Sequence, residues 1–395
     1  MKILFITQIL PYPLDSGGKI KTYQTVKALS RKHQVWLVCF APESLPLLMI
    51  EKMRRVCYRV EIITSLYPTA QFKEIKMFIF KSIFSFLPFM VCRYRSREMK
   101  NLVEELVRKE KFDAIHIDHL NMAFYLPKKK NCLYILDEHN IESDLNWQIF
   151  CREKLNKFKL FSFLEWGKIK IYERRIVPRF DYWLAISNED KKKLINLGAK
   201  EKNTFVAPIA FKPRPLFKFN KDRPLILFVS SLDWWPNKDG FWWFYKNVFP
   251  LVKAKIKNIN FVVIGKNAAL EMRNLMNEDK NLKVIGYVKN LEPYFRKTNV
   301  FIVPLRSGSG IRIKILKALS HGLPVVATRK GAEGVVKRNG QGLILTDNPQ
   351  NFARTIMELI NNEKKAQALS REGIDFMKKN YNPQKADNIL RKVYH

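Results

Sequence analysis

Several chemistries are missing from this chain of 395 residues. Its five cysteines (Cys39, Cys57, Cys92, Cys132 and Cys151) are odd in number, lie in the first half and form no Cys-x-x-Cys pair. That excludes the usual zinc spacings and fits reduced, mostly buried thiols in a cytoplasmic setting. Long apolar runs are also absent: nothing approaches the roughly 18 uninterrupted residues of a membrane span. The start, Met1 to Thr7, is too short for a signal peptide and reads as a first buried strand. There is no Walker loop and no Gly-x-Ser-x-Gly elbow, which removes the main warrants for ATP hydrolysis and serine esterase chemistry. No Asp-x-Asp pair is present to hold a divalent cation, so no metal is expected. Acidic residues are scarce. Asp and Glu number 36 against 71 Lys and Arg, a net charge of +35. An anionic partner or a lysine-rich composition would each explain it. Zinc-finger spacings and aromatic RNP-like strands are missing, so nucleic acid is not an expected partner. An anionic membrane surface is.

What remains is rich in apolar residues, 47% of the chain, with charge scattered rather than blocked. This is the composition of a folded protein long enough for two domains. Apolar runs of four to six residues alternate with stretches of helical period, the pattern of parallel α/β layers. Strands are expected at Ile3–Thr7, Val35–Phe40, Arg59–Ile63, Ala114–Ile117, Leu133–Leu136, Tyr182–Ile186 and Thr204–Ala207. A helix is expected over Lys19–Arg31, with Ile20, Tyr23, Val26 and Leu29 close to one face. Pro208–Pro224 is Pro- and Lys-rich without periodicity and reads as a linker. The strand count then restarts at Leu225–Val229, followed by Phe261–Ile264, Lys283–Ile285, Val300–Val303, Val325–Ala327 and Leu343–Leu345.

Two doubly wound, Rossmann-like domains facing each other across a cleft are therefore expected, over 1–215 and 216–380. A last helix in 381–395 would cross back to the first domain. Ligands should bind at the carboxyl ends of the strands. Within the first domain, a segment over about 70–100 stands apart. Phe72 to Lys100 holds seven Lys or Arg, two Glu and seven aromatics: Phe72, Phe78, Phe80, Phe84, Phe86, Phe89 and Tyr94. It reads either as an element lying in a membrane interface or as a core-packing insertion with basic edges.

The strongest local signal is Gly308 to Thr328. A buried strand runs into a small-residue loop, a short helix and a second buried strand. Glycines at such a junction let backbone N–H groups approach an anion, and the helix N-terminus favours negative charge there. Arg312 and Lys314 oppose the helix dipole, so an anion is their natural compensator, and a diphosphate is the obvious candidate. The loop after the first strand, Pro11 to Lys19, sets Gly17 and Gly18 directly before a helix. A tight turn or a phosphate or sugar contact would each use them.

Two further stretches, Asp113 to His119 and Leu136 to Ser143, place His and carboxylates at the carboxyl ends of buried strands. Polar residues there have no core to fill. A His–carboxylate pair drawn from Asp118, His119 and His139 could orient or deprotonate a hydroxyl. His116 reads equally as a core histidine.

Taken with these stretches, the blocks Asp137-Glu138-His139-Asn140-Ile141-Glu142, Ser187-Asn188-Glu189-Asp190, Pro236-Asn237-Lys238-Asp239, Gly286-Tyr287-Val288 and Gly331-Ala332-Glu333-Gly334 make the chain resemble retaining glycosyltransferases of family 4 over nearly its whole length. The resemblance implies a GT-B fold and transfer of a sugar from a nucleotide diphosphate, without a metal or other cofactor, to a glycan or lipid-linked hydroxyl. It implies a cytoplasmic protein, peripheral on the inner face of the membrane, in cell-surface polysaccharide or glycoconjugate assembly. Asp118, His119 and His139 would line the reacting centre. Gly17, Gly18, Ser230, Gly286, Tyr287, Val288, Ser309, Gly310, Ile311, Arg312, Lys314 and Lys317 would hold the donor, Gly286 to Val288 at the base and Gly310 to Arg312 at the diphosphate. Asp15, Asn140 and Glu142 would face the acceptor.

The family commonly has two glutamates where this chain has Ser309 and Lys317. A carboxylate can accept from both ribose hydroxyls, whereas an ammonium only donates. A catalytically impaired relative serving as a scaffold is the alternative that Lys317 raises.

Overall fold

In the computed structural model, the structure describes residues 1–64, 79, 82, 84–127, 131–152, 157–308, 312–336 and 338–394, with the backbone alone at 149, 152, 157 and 158. Ser309, Gly310 and Ile311 lie outside the described residues. So does much of the basic aromatic segment, including Phe72, Phe78 and Phe80.

The chain forms two compact units, Met1–Ala210 with Gln384–His395, and Phe211–Pro383. The first holds strands β1 (Lys2–Thr7), β2 (Gln34–Ala41), β3 (Arg59–Thr64), β4 (Ala114–Asp118), β5 (Leu133–Glu138), β6 (Tyr182–Ala185) and β7 (Thr204–Val206). They make a seven-stranded sheet in the order β3-β2-β1-β4-β5-β6-β7. Every pairing in it is parallel. The second unit holds β8 (Leu225–Val229), β9 (Asn260–Ile264), β10 (Leu282–Ile285), β11 (Val300–Val303), β12 (Val325–Ala327) and β13 (Leu343–Leu345). Its sheet, also parallel, runs β10-β9-β8-β11-β12-β13. All thirteen expected strands form, with ends shifted by no more than two residues.

These strands are nearly continuous apolar runs because helices cover both of their faces. Alternation along β1 and β2 feeds two cores. Leu4, Ile6, Trp36 and Val38 enter one, while Ile3, Phe5, Val35 and Leu37 enter the other. In the second unit an aromatic group of Phe241, Phe244, Phe249, Phe261 and Phe352 is fully buried in the core. Cys39 and Cys57 are buried, whereas Cys151 is exposed.

Both sheets reverse direction once, between β1 and β4 and between β8 and β11. Doubly wound folds open a ligand crevice at the carboxyl ends of such a switch point. The C-terminal helix Pro383–Val393 belongs to the first unit: Leu390, Val393 and Tyr394 enter its core, and Arg31 pairs with Asp387 at 2.9 Å.

Candidate functional site

At the first switch point the register sets Thr7, Asp118 and Asp137 side by side at the ends of β1, β4 and β5. Asp118 is fully buried and sits at the centre of a polar cluster. Its Oδ2 accepts from Thr7 Oγ1 at 2.6 Å and from Thr22 Oγ1 at 2.8 Å. The same oxygen lies 3.0 Å from His119 Nδ1. Its Oδ1 lies 3.0 Å from His139 Nε2, and the two imidazoles stand 3.9 Å apart. His119 is held at φ 76°, a left-handed conformation rare outside glycine, as the chain turns out of β4.

Gly18 completes the group. A Cβ there would come 3.8 Å from His139 Nδ1 and 3.9 Å from His119 Nε2. Four of the expected residues, Gly18, Asp118, His119 and His139, are thus brought together.

Burial alone would raise the Asp118 pKa, but the two histidines beside it carry the carboxyl well below its ordinary range. Burial likewise works against charge on His119, yet Asp118 outweighs it and raises that pKa. His139 goes the other way: burial and the neighbouring His119 lower it despite Asp118. Near neutrality the trio is therefore an ionised Asp118, a His119 drawn toward its charged form and a neutral His139. One atom from each of these three side chains lies within 4.8 Å of the others, close enough to hold a metal ion.

The helix behind the cluster begins at Gly17, with Ser16 as its N-cap. Gly17 and Gly18 therefore form its first turn rather than preceding it. Asp15 is tied to Lys19 at 3.0 Å, one helical turn on. The helix buries Lys21, Thr22, Thr25, Val26 and Leu29, not the expected Ile20 and Tyr23. Lys21 Nζ donates to Asp137 Oδ2 at 2.5 Å and to Thr25 Oγ1 at 3.1 Å. Asp137 belongs to the strand-end carboxylates expected from the sequence, whereas Thr7, Lys21 and Thr22 are not among the expected site residues. The available signal was polar residues on what should be an apolar helix face, opposite strand-end acids.

His116 is a core histidine. It is fully buried, stacks on Phe5 at 4.2 Å and pairs through Nδ1 with the Tyr394 hydroxyl at 2.5 Å. Burial pushes its pKa down to about 4, so it is neutral. Asn140 is half-buried just beyond β5. Glu142 opens the next helix, Glu142–Arg152, and burial with Glu173 nearby raises its pKa to about 7 against the pull of His119. Glu138 is pushed far up by burial and by Glu142 and Glu173.

In the second unit the cations gather at the corresponding switch point. Lys314, at the start of the helix Ile313–Ser320, donates to Ser230 Oγ and, at 2.9 Å, to Asn237 Oδ1. Asn237 in turn donates to the Ser231 carbonyl at 2.7 Å. Burial, with Arg312 beside it, lowers the Lys314 pKa to about 7. Arg312 is buried just before the helix, its guanidinium 5.9 Å from the Trp234 ring. Gly308 adopts φ 99°, and a Cβ there would press on Trp234 at 2.9 Å and on Arg312 at 3.1 Å. The positive φ, more than these side-chain tips, is what calls for glycine in the loop after β11. Gly265 lets β9 end against Ser230, whose carbonyl would be 1.6 Å from a Cβ.

Gly286 faces open space, and Tyr287 is exposed beneath Lys266, 4.9 Å from its ring. Val288 packs against the core. Lys317 is half-buried in the last turn of its helix. Burial lowers its pKa, and Glu292 partly opposes this.

A profile described as "Glycosyltransferase Family 4" matches residues 16–211, and one described as "Glycosyl transferases group 1" matches 223–362. An uncharacterized 44.6 kDa protein in the cps region of Klebsiella pneumoniae is 24% identical, covering 99% of both chains. Among solved structures, HepE of Anabaena in complex with UDP and glucose superposes with a TM-score of 0.64 at 13% identity, covering 100% of this chain and 99% of the other. TarM, whose ligand complex names S. aureus, gives a TM-score of 0.67 at 13% identity over 100% and 98%. Both profiles are of glycosyltransferases and together they span most of the chain, which therefore belongs to the group 1 glycosyltransferases, transferase enzymes of the GT-B fold.

Proposed function

We propose that this enzyme moves a sugar from a nucleotide-diphosphate donor to a hydroxyl of a glycan or lipid-linked acceptor, with retention of configuration and without a metal. The observation that carries the reading is Lys314, a half-buried cation at the second switch point whose hydrogen-bond partners, Ser230 and Asn237, are both neutral. A cation drawn partly out of water, with no acid beside it among these partners, favours an anion for compensation. The two phosphates of a donor supply it, with Arg312 as the second cation and helix N–H groups as donors. Gly286, Tyr287 and Val288 would meet the base, and Lys317 the ribose.

In the reaction the bond between the anomeric carbon and the diphosphate oxygen breaks. The acceptor oxygen bonds to that carbon from the same face, and its proton passes to the departing diphosphate. Arg312 and Lys314 hold the charge that develops on the leaving group. Asp118, His119 and His139, with Gly18 allowing close approach, would orient the hydroxyls of the sugar and the acceptor, Asp15, Asn140 and Glu142 lying on the acceptor side.

UDP-sugars are the first donors to try, since HepE is described with UDP and glucose. The relative in a cps region supports a role in cell-surface polysaccharide assembly. Such a role places the enzyme in the cytoplasm and, for a lipid-linked acceptor, peripherally at the inner face of the membrane. No helix among the described residues is long and apolar enough to cross one.

Incubating the purified enzyme with nucleotide sugars, with and without a chelator, tests the proposal. Release of nucleoside diphosphate from at least one donor, undiminished by the chelator and with an α-configured product from an α-configured donor, is expected. Turnover that the chelator abolishes would overturn the metal-free part, and an inverted product the retaining part.

A further inference from the structure

The helix Lys157–Ile176 is amphipathic in an unusual sense. Its inward face carries Ser162, Glu165, Ile169, Tyr172, Glu173 and Ile176, all buried. Glu165 accepts there from Ser82 Oγ at 2.7 Å and from Phe89 N at 2.6 Å, and Glu173 accepts from Ser143 N at 3.0 Å. Both described carboxylates of this helix are thus consumed inside the fold.

The outward face is apolar. Leu160, Phe163, Leu164 and Ile171 are 62%, 42%, 49% and 65% exposed. A Cβ on Gly167, which belongs to the same stripe, would touch nothing. At 3.6 residues per turn these five positions fall within an arc of about 100°. Trp147, on the adjoining helix Glu142–Arg152, extends the face: it is exposed and packs on Trp166 at 4.8 Å. Phe163 joins Trp166 and Phe150 in the same ring cluster.

Cations border the stripe. Lys159 lies over the Phe150 ring at 5.0 Å and Lys170 over the Trp166 ring at 4.9 Å. The exposed Arg174 and Arg175 continue the stripe at its end.

We infer that this face docks on an anionic lipid bilayer, with Leu160, Phe163, Leu164 and Ile171 entering the headgroup–acyl boundary and Lys159, Lys170, Arg174 and Arg175 meeting lipid phosphates. Apolar side chains bordered by cations, with the acids turned inward, match the charge and polarity of such a surface. A second copy fits less well, since pairing the face with itself would bring its cations onto one another. This deepens the membrane part of the proposed function and leaves the transfer chemistry untouched.

The test is co-sedimentation of the full-length protein with vesicles of phosphatidylglycerol and phosphatidylcholine in equal parts, and with phosphatidylcholine alone. Binding to the anionic vesicles is expected to exceed binding to neutral ones. Leu164→Ser with Ile171→Ser, and separately Arg174→Gln with Arg175→Gln, should each lower anionic-vesicle partitioning by about tenfold or more. Because these positions are exposed, both variants should keep wild-type melting temperature and nucleotide-sugar turnover in solution, which separates this inference from the transfer reading. Equal partitioning of wild type and both variants would overturn it. So would a wild type that is dimeric by analytical ultracentrifugation and made monomeric by Leu164→Ser with Ile171→Ser.

Discussion

The half-buried Lys314 ammonium lies 2.9 Å from the amide oxygen of the buried Asn237 at the end of the second sheet. This places a cation among neutral partners at the point where a doubly wound sheet receives its ligand. Lys314→Met should leave the fold intact, because an apolar side chain of similar length fills the same space. It should weaken nucleotide-sugar binding by about a hundredfold, the order expected when a desolvated charge–phosphate contact is lost. Isothermal titration with a nucleotide sugar checks it.

The same lysine makes binding depend on pH. Its pKa is lowered to about 7 in the free protein, and a bound diphosphate would raise it again. Binding therefore takes up a proton above pH 7. Affinity for a nucleotide sugar, whose phosphates stay ionised, should be flat below about pH 7 and fall by up to about tenfold per unit above it. Lys314→Met should abolish the slope. A wild type with pH-independent affinity between neutral and alkaline pH would contradict the assignment.

Asp118 organises the other cluster, and Asp118→Asn should remove transfer while costing about 3 kcal/mol of stability, the order for breaking a buried ion pair. The pH dependence follows from the directions of the shifts. His119 is raised, so its contribution is complete below its ordinary value of about 6.5 and fades as pH climbs through the raised one. Asp118 is lowered, so its contribution is present above about 3.8 and is lost only in strong acid. Denaturant melts of wild type and His119→Gln across this range should show a gap that narrows toward alkaline pH.

Lys317→Glu would set two carboxylates near each other, since Glu292 already acts on this position. We expect kcat/KM for the nucleotide sugar to fall by about tenfold or more, through like-charge repulsion and loss of the native contact. A gain in turnover would instead mark the wild-type lysine as a lesion in the donor site.

Tyr394 reaches from the C-terminal helix to His116 Nδ1. Tyr394→Phe should cost about 1 kcal/mol in chemical unfolding, the usual net value of a hydrogen bond, with turnover of the folded enzyme unchanged.

Much of this architecture was legible in the chain because burial on both faces turns each strand into a short apolar run. Val300–Val303 and Val325–Ala327, for example, match the observed strands residue for residue. The meeting of Gly18, Asp118, His119 and His139 was less legible. Their strand-end positions could be read, but the side chains touch only because parallel register aligns Thr7, Asp118 and Asp137. The face of the helix Gly17–Leu29 was misjudged because its inner side carries Lys21, Thr22 and Thr25 to satisfy buried acids. The helix Lys157–Ile176 conceals its logic for the same reason: with Glu165 and Glu173 turned inward, apolarity marks the outer face rather than the core.

The most direct test of the account is nucleoside diphosphate release by purified wild-type and Lys314→Met enzyme across a panel of nucleotide sugars. Release from at least one donor by the wild type, and its loss in a variant of unchanged melting temperature, is the predicted result. A wild type that neither binds nor turns over any nucleotide sugar, or a Lys314→Met enzyme as active as the wild type, would contradict it.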